Sequence, residues 1–411
     1  MIYIGNIEIL TAKSAIYLGN VGTNGRETPM NIRLFATLAA GSLVLAAQPA
    51  LATAPVGDPL GGLQAMRELN AIVFGDTHGW LSVEGKTFVG GTVQNGGEFG
   101  GGNASKSEAA SSRAILTVGG NSNSYTRILN GSNGGSGSVG SPATVDVGGN
   151  VSNLALGTNN VAVKIGGTVA QSSASSGSTV ESGGTGSGWL GDNGGSFATG
   201  KGAGFTSGVT SSISSEAAKL EADLTALSTS LAGLETTDGN SITNSYGAMV
   251  FTAVSDGTGK SVFNLTEAAF SGWQWTLNAA DPTLTIVFNV TGDGSYLWNS
   301  NLAGAFSAFA DQIIWNFSDA TSLNINQTVY GSLLSPFADL RANSAIRGTV
   351  VAKDLQASSG VKMAAFDGTD IGLADPAPEP ATWAMMIAGF GLVGAALRRR
   401  ERRGRIAHSS N

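Results

Sequence analysis

Apolar and polar residues alternate along much of the chain, and four of the alternating segments end in a pair of glycines. Alternation with a period of two is typical of half-buried strands, and glycines let the following corner bend tightly or take positive φ. A recurring strand-plus-corner unit predicts a mainly β fold built as a β-solenoid. A β-sandwich whose hairpins end in Gly-Gly is the alternative. The pairs, spaced by 29, 29 and 18 residues, are Gly90-Gly91, Gly119-Gly120, Gly148-Gly149 and Gly166-Gly167.

One segment, 212–235, has helical periodicity instead. Its apolar positions are spaced alternately by four and three residues, which predicts an amphipathic helix with one narrow apolar stripe. Residues 236–240 supply the turn that ends it. We expect this long helix to pack along the β-scaffold, and a three-heptad coiled coil with another chain is the alternative. The stripe is Ile213, Ala217, Leu220, Leu224, Leu227, Leu231 and Leu234.

Strand patterns resume after the helix. The strongest is 283–290, whose continuous apolar end predicts a central buried strand. The Ser-, Gly- and Asn-rich stretches 132–141 and 172–188 predict loops that leave individual coils. The predicted strands are 249–254, 261–265, 273–277, 283–290, 312–317, 322–325, 328–334 and 346–352.

The N-terminal region contains a predicted signal peptide at 30–52. A small basic n-region with Arg33 precedes an apolar h-region, 34–46, and Ala50 and Ala52 are the small residues that signal peptidase requires. We expect cleavage after Ala52, so that the mature chain begins at Thr53. Residues 1–29 resemble no targeting signal, and we expect translation to begin at Met30; an unusually long n-region is the alternative.

The C-terminal region 381–397 contains no ionisable side chain and predicts a transmembrane helix. As a helix it would be about 25 Å long, at the short end of what crosses a bilayer. Trp383 lies where an interfacial aromatic belongs, and residues 374–380 form a spacer ahead of it. The basic residues that would hold the C-terminus in the cytoplasm are Arg398, Arg399, Arg400, Arg402 and Arg403.

Composition narrows the functional classes. Residues 53–397 carry 13 Lys and Arg against 26 Asp and Glu, a net charge of −13, so no basic face can neutralise nucleic-acid phosphates. Charged residues are only 12% of the chain and 60 of its 411 residues are glycine, which favours a β-rich extracellular protein over a charged helical enzyme. Cysteine is absent, so the core and the backbone ladders must supply the stability.

The chain offers few side chains for catalysis. His78 is the one histidine of the mature chain before the arginines, so the sequence excludes Cys–His pairs and multi-histidine metal sites. It lies in the turn-like sequence 76–79 without a Gly-x-Ser-x-Gly elbow, and we expect a surface position. No EF-hand-type or phosphate-cradling loop occurs, and we expect no enzyme activity, cofactor or metal. The acidic residues open to polysaccharide chemistry, each in a turn-like context, are Asp281, Asp293, Asp311, Asp319 and Asp339.

The C-terminal tail resembles a PEP-CTERM protein-sorting signal of the PEPxxWA form, which here spans 378–405. The matching residues are Pro378, Glu379, Pro380, Trp383 and Ala384. The resemblance implies that a membrane-embedded exosortase-type protease cleaves near the motif and releases or re-attaches the protein at the cell surface. The membrane would then hold the C-terminal helix only until processing. An unprocessed C-terminal anchor is the alternative.

The region between the two signals, 53–373, is similar to choice-of-anchor A domains. Residues 69–76, 83–85 and 89–91 resemble their opening, and 314–317, 319–321, 331–339 and 346–352 resemble their close. Long Gly- and Ser-rich insertions between about 94 and 210 fit no motif. These domains occur on bacterial surface proteins with different anchors and are grouped with adhesive domains. The strand–helix–strand order also resembles ice-binding β-solenoids, which by analogy favours the solenoid over the sandwich.

Together these features predict an exported, surface-sorted, non-catalytic adhesive or extracellular-matrix protein that binds surface or matrix polysaccharide. Trp273 and Trp275, on one face of a predicted strand, form a candidate sugar-stacking pair, with core aromatics as the alternative. An ice-binding protein and a carbohydrate-active enzyme on the same scaffold are the alternative functions. Ice binding would need a flat, regular array of threonines, and the positions beside the glycine pairs vary between Thr and Asn.

Overall fold

The computed structural model describes residues 56–102, 111–131 and 143–373. Within these ranges the chain forms strands that stack coil on coil and pair in parallel except at Ser241–Ser245 with Ala248–Ala253, which pair antiparallel. It also forms two α-helices and two short 3-10 helices, Glu267–Ser271 and Ala305–Ser307. Helix α1 is Pro59–Glu68 and helix α2 is Ala203–Ala232. The prediction of a mainly β fold is confirmed, and the parallel stacking is consistent with a β-solenoid.

The strands that precede α2 are short. They are β1 (Ala71–Val73), β2 (Thr77–His78), β3 (Leu81–Val83), β4 (Thr87–Val89), β5 (Gly97–Phe99), β6 (Leu116–Val118), β7 (Ser122–Ile128), β8 (Thr144–Val147), β9 (Val151–Leu156), β10 (Ala162–Ile165), β11 (Val169–Ser173), β12 (Thr179–Ser182), β13 (Gly186–Gly191) and β14 (Ser196–Ala198).

The strands that follow α2 include two long ones. They are β15 (Ser241–Ser245), β16 (Ala248–Ala253), β17 (Lys260–Thr266), β18 (Gln274–Ala279), β19 (Thr285–Thr291), β20 (Ser295–Trp298), β21 (Asn301–Gly304), β22 (Ile313–Asn316), β23 (Ser322–Ile325), β24 (Val329–Tyr330), β25 (Ser332–Ala342), β26 (Ile346–Arg347), β27 (Val350–Ala357) and β28 (Val361–Lys362).

The order of strands in the sheets differs from their order in the chain. The first sheet runs β14-β12-β10-β8-β6-β4-β1-β27-β25-β22-β19-β17, and the second runs β13-β11-β9-β7-β5-β3-β28-β26-β24. A smaller sheet runs β15-β16-β18-β21. Because β1 pairs with β4 on one side and with β27 on the other, the last coil of the chain lies directly against the first. Helix α2 connects the two ends of the stack.

The interior of the coils is apolar, and its composition differs between the two halves. Before α2 it is mostly aliphatic, as at Val118, Val147 and Ile165. After α2 it is aromatic, and the ring of Trp315 stacks on that of Phe288 at 4.1 Å between centroids. Aromatic rings bury more area per residue than valines do, so the coils after α2 hold the larger share of the apolar burial.

Helix α2 packs on the outer side of the first sheet along a row of residues in register. Where the row is apolar, the leucines of α2 cover it, and full burial of each leucine contributes about 1.5–3 kcal/mol. Where the row carries amides, Asn316 Nδ2 donates to the carbonyl oxygen of Ser228 at 2.9 Å. In spatial order the row is Asn264, Asn289, Asn316, Leu334, Val351, Ile72, Phe88, Thr117, Asp146, Lys164 and Glu181.

The glycine pairs are required by close approach of adjacent coils. A Cβ on Gly119 would lie 2.1 Å from the carbonyl oxygen of Gly90, and one on Gly148 would lie 2.3 Å from that of Gly119. Among the described residues, positive φ occurs at other glycines. Of the two predicted uses of the pairs, positive φ is therefore not found, and close approach of the coils is the reason for the pairs. No residue with a side chain fits at these contacts.

The residue after each glycine pair connects one coil to the next through its side chain. Asn121 Oδ1 accepts a hydrogen bond from the backbone N–H of Asn150 at 2.7 Å, and Asn150 Oδ1 accepts one from that of Thr168 at 2.8 Å. This series, named the polar ladder, consists of Asp76, Thr92, Asn121, Asn150 and Thr168. The second glycine of a pair leaves room for it, since a Cβ on Gly149 would lie 2.3 Å from Asn121 Oδ1.

The predicted loop at 172–188 is wrong. This stretch contains β12 and the start of β13 and has a fifth pair, Gly183-Gly184, stacked on Gly166-Gly167. The inward residue before the pair is Ser182, whose hydroxyl donates to the carbonyl oxygen of Gly184 at 2.8 Å. Because a serine replaces the usual valine or isoleucine there, the apolar alternation is hidden. The other predicted loop, 132–141, lies outside the described residues.

The predicted helix 212–235 is confirmed as a helix on the scaffold, but its bounds are wrong. Helix α2 begins at Ala203 and ends at Ala232, where Gly233 follows. Its first turns have weak helix propensity and are held by tertiary contacts, including a hydrogen bond of 2.6 Å from Thr206 Oγ1 to the carbonyl oxygen of Gly166. The coiled-coil alternative is wrong, because the apolar stripe is buried against the sheet.

Helix α1 was not predicted, although its start has clear signals. Asp58 caps it by accepting a hydrogen bond from the backbone N–H of Leu60 at 3.0 Å, and Pro59 occupies the first helical position. The predicted strand 283–290 is confirmed as β19 and is buried on both sides. The predicted strand 328–334 is divided at Gly331 into β24 and the start of β25. The predicted strand 346–352 is divided at 348–349 into β26 and the start of β27.

Replacing Gly119 with alanine is expected to destabilise the protein by about 1–3 kcal/mol, because the new methyl group overlaps the neighbouring coil. Gly208→Ala in α2 is the matched control, since a Cβ there meets nothing within 4 Å. The control should stabilise by about 0.5–1 kcal/mol. Denaturant unfolding of both variants measures the difference, and equal effects of the two substitutions would contradict the close-approach explanation.

Candidate functional site

Several predicted site residues lie outside the described residues. They are the cleavage-site residues Ala50 and Ala52, the sorting motif Pro378, Glu379, Pro380, Trp383 and Ala384, and the arginines 398–400, 402 and 403. The predicted membrane helix 381–397 lies there too. Of the helices in the described ranges, none is both long and apolar enough to span a bilayer.

The structure separates the two tryptophans predicted as a sugar-stacking pair. Trp275 is fully buried in the aromatic interior, as the core alternative predicted. Trp273 precedes β18, is 56% exposed, and its Nε1–H donates to the carbonyl oxygen of Tyr246 at 3.0 Å. The prediction of a shared face is wrong because the strand begins only at Gln274.

His78 is exposed on β2, in agreement with the predicted surface position. It lines a shallow cavity of about 190 Å³ with Asp339 and Asp354, and Asp339 pairs with Lys353 at 3.0 Å. The cavity brings a histidine and two carboxylates together, but Asp339 already forms an exposed ion pair with Lys353.

The remaining acidic candidates are used mainly within turns. Asp281 accepts hydrogen bonds from Thr283, and Asp293 accepts one from the backbone N–H of Ser295 at 3.0 Å. Asp319 accepts the hydroxyl proton of Tyr296 at 2.6 Å. Burial, with this bond to the carboxylate, raises the pKa of Tyr296 and keeps the phenol protonated. Asp281 and Asp293 therefore fix their own turns, whereas Asp319 connects two coils. Asp311 is half-buried, and its backbone carbonyl accepts a hydrogen bond from the N–H of Asp367 at 2.6 Å.

A groove lies between the N-terminal half of α2 and the outer side of the first sheet. It is at the charged end of the row of residues beneath α2, where Thr117, Asp146 and Lys164 lie. It consists of two adjoining cavities of about 530 and 380 Å³, both lined by Thr117, Asp146 and Glu216. Arg113 forms ion pairs with Glu216 and, at 2.7 Å, with Glu68. Burial raises the pKa of Asp146, an effect that Lys164 partly offsets, and burial likewise raises the pKa of Glu216 despite Arg113.

The outer side of the second sheet is a different kind of surface, because it carries exposed aromatic and amide side chains. Trp80 is 47% exposed just before β3, Tyr125 is 37% exposed on β7, and Trp189 is 64% exposed on β13. Strand registers place Tyr125 beside Asn153, and Gln171 occupies the same row in the next coil. This surface is named the aromatic face, and its residues are Trp80, Tyr125, Asn153, Gln171 and Trp189.

A glycine makes the first aromatic contact of this face possible. Gly96 occupies the coil between Trp80 and Tyr125, and a Cβ there would lie 2.0 Å from the carbonyl oxygen of Tyr125. With no side chain between them, the two rings lie nearly parallel, at 12° and 6.1 Å between centroids. They lie on the surface as one parallel aromatic pair, drawn closer together than the two coil steps between their backbones.

A bulge positions the other end of the aromatic face. Strand β13 shifts register against β11 between Ala170 and Ser172, and Gln171 takes a φ of +47°, which is unusual for a non-glycine residue. The ring of Trp189 lies over Gly191, where a Cβ would come within 2.3 Å of it. Trp80, Tyr125 and Trp189 are 45 and 64 residues apart in the sequence, and only the register of the coils aligns them.

Asp146→Asn is expected to raise stability at neutral pH. The folded pKa of Asp146 is raised above 3.8, so its favourable contribution is complete below that pH and is lost as the pH rises through the folded pKa. The stability gain of the variant over the wild type should therefore grow as the pH rises above about 4 and level off above the raised folded pKa. Thermal unfolding across this range measures it, with the exposed Asp192→Asn as control. A gain that is equal in both variants at every pH would contradict the burial explanation.

Comparison with known proteins places the chain in a family. The family model described as "Putative Ice-binding-like adhesive domain" matches residues 62–363, and the model of the PEP-CTERM protein-sorting motif matches residues 376–400. An ice binding protein from an Antarctic bacterium, Flavobacteriaceae, aligns over 77% of this chain and 99% of its own, with 13% identity and a TM-score of 0.26. No curated protein matches the chain. Since the first model covers most of the chain, this chain belongs to the ice-binding-like adhesive domain family and carries a PEP-CTERM sorting motif.

Proposed function

We propose that the protein is an adhesive or matrix protein of the cell surface that binds polysaccharide and catalyses no reaction. The single observation that carries this proposal is the order of two family matches, an adhesive domain at 62–363 followed by a sorting motif at 376–400. A domain delivered to the surface by a dedicated sorting system acts outside the cell. The proposal includes the finer membership in the choice-of-anchor A domains.

The proposed route begins with export across the inner membrane by the signal peptide 30–52. The helix 381–397 and its arginines then hold the chain transiently in the membrane, where an exosortase-type protease recognises the PEPxxWA motif. Cleavage near Ala384 transfers the protein to the cell surface or the extracellular matrix.

The aromatic face supports a polysaccharide ligand. Neither α1 nor α2 covers it, because both helices pack against the outer side of the first sheet. Exposed aromatic rings beside amide groups offer apolar stacking and hydrogen bonds at once, which is the combination that sugars need. The polar ladder, in contrast, offers a poor ice-binding array, because its Thr and Asn side chains bond between coils.

Sorting is tested in a host that has an exosortase. The wild type is expected to yield a mature protein from Thr53 to near Ala384 in the surface or matrix fraction, as intact mass and fractionation measure. Glu379→Ala should leave the full tail in the inner membrane, because it removes the charged residue of the motif. His408→Ala, beyond the arginines, is the control and should be processed normally. A full-length wild type retained in the inner membrane would contradict the sorting route.

The alternative functions have their own measurements. Thermal hysteresis by the purified mature protein would favour ice binding, and release of reducing sugar from a polysaccharide would favour an enzyme. Retention on polysaccharide without either activity is the result that the adhesive proposal predicts.

A further inference from the structure

The aromatic face suits one class of polysaccharide, and this inference rests on the adhesive function proposed above. We propose that the face binds a neutral, extended β-1,4-linked polysaccharide whose chain lies along the coil axis. Nothing in the family match specifies a ligand, an orientation or these residues, so the argument depends on the geometry of the face alone.

The spacing between neighbouring coils sets the orientation of the proposed glycan chain. Neighbouring parallel strands lie about 4.8 Å apart, so the six rungs from Trp80 to Trp189 extend over about 24 Å. One coil step is comparable with the length of one pyranose residue in an extended β-1,4-linked chain. A glycan that lies along the axis would therefore present successive sugars to successive coils, whereas a chain across the face would meet a single rung.

The aromatic rings provide apolar platforms at the two ends of this row. A β-linked pyranose with equatorial hydroxyls exposes flat patches of C–H groups, which stack on aromatic rings. Trp80 and Tyr125 together form the first platform, and Trp189 forms the second, about three coil steps beyond Tyr125. The spacing lets one extended chain contact both platforms.

The amide side chains lie between the platforms, where the hydroxyls of the sugars would be. Asn153 and Gln171 each offer a donor and an acceptor, the pair of functions that a hydroxyl matches. Gln171 holds a left-handed φ of +47°, which a glycine would adopt at lower cost. The left-handed backbone at this exposed bulge turns the amide side chain of Gln171 into a position that the binding proposal uses.

The charge of the face selects a neutral ligand. The aromatic face carries no ionisable group other than the phenol of Tyr125, and in the adjacent outward row Glu98 and Arg127 neutralise each other at 3.1 Å. Residues 53–397, which include the proposed mature chain, carry a net charge of −13. An anionic polysaccharide would meet long-range repulsion, and the nearby Arg127 is already paired with Glu98, so uronic-acid polymers are disfavoured.

The test is co-sedimentation of the mature, sorted protein with microcrystalline cellulose and chitin, with alginate beads as the anionic probe. We expect the wild type to bind at least one of the two neutral β-1,4 polymers with little dependence on salt, and to ignore alginate. Trp189→Ala and Tyr125→Ala should each weaken binding about tenfold. Trp273→Ala is the matched control, because it removes an equally exposed tryptophan elsewhere.

Gln171→Gly separates a binding role from a folding role. It relieves the left-handed backbone while it removes the amide, so its melting temperature should equal or exceed that of the wild type while its binding weakens. Titration with soluble β-1,4 glucose or N-acetylglucosamine oligomers should show affinity that rises up to about six sugars, one for each rung.

Two results would overturn the inference. Wild-type binding that survives in both Trp189→Ala and Tyr125→Ala would show that the ligand binds elsewhere. Binding to alginate alone, or to none of these polymers, would reject the ligand class. Fractionation of the same wild-type protein tests the proposed function separately. A surface-located protein without this binding keeps the proposed sorting and surface role and loses only this ligand class, whereas retention in the inner membrane rejects the proposed function.

Discussion

The contact between backbones at the glycine pairs is the constraint on which the coils before α2 depend. Each coil passes so close to its neighbour that a methyl group on Gly119 or Gly148 would overlap a carbonyl oxygen. A corner of this kind permits one register only, and the polar ladder then fixes that register by hydrogen bonds such as the one from Asn150 N–H to Asn121 Oδ1. The outward rows of the coils before α2, and with them the aromatic face and the seat for the N-terminal half of α2, take their alignment from this corner.

Different interactions stabilise the two halves of the stack. The coils after α2 carry the aromatic interior, with Trp275, Trp298 and Trp315 packed together, and bury most of the large side chains. The coils before α2 bury smaller side chains and depend on backbone contacts and on the polar ladder. Since β27 and β28 pair with β1 and β3, the aromatic half covers the edge from which the other half begins. A weaker half can thus display an exposed face while the stronger half supports it.

Much of this fold could be predicted from the sequence, because the signals were local. The glycine pairs gave the coil unit and the leucine stripe gave α2, since both rest on short-range periodicity. The fifth pair was missed because Ser182 broke the apolar alternation, and the start of α2 was missed because Thr206 bonds to Gly166, 40 residues away. The aromatic face could not be predicted at all. Trp80, Tyr125 and Trp189 are aligned only by the register of coils of unequal length.

Unequal coil length is also what makes such a face adaptable. Strands β7 and β9 are in register although Tyr125 and Asn153 are 28 positions apart in the sequence, so the length of chain between the two residues does not set their alignment on the sheet. The outward positions of the second sheet face away from the core and from both helices, and a substitution there changes the surface without repacking the interior. Ligand preference can therefore change one rung at a time, whereas the glycine corners admit no such change.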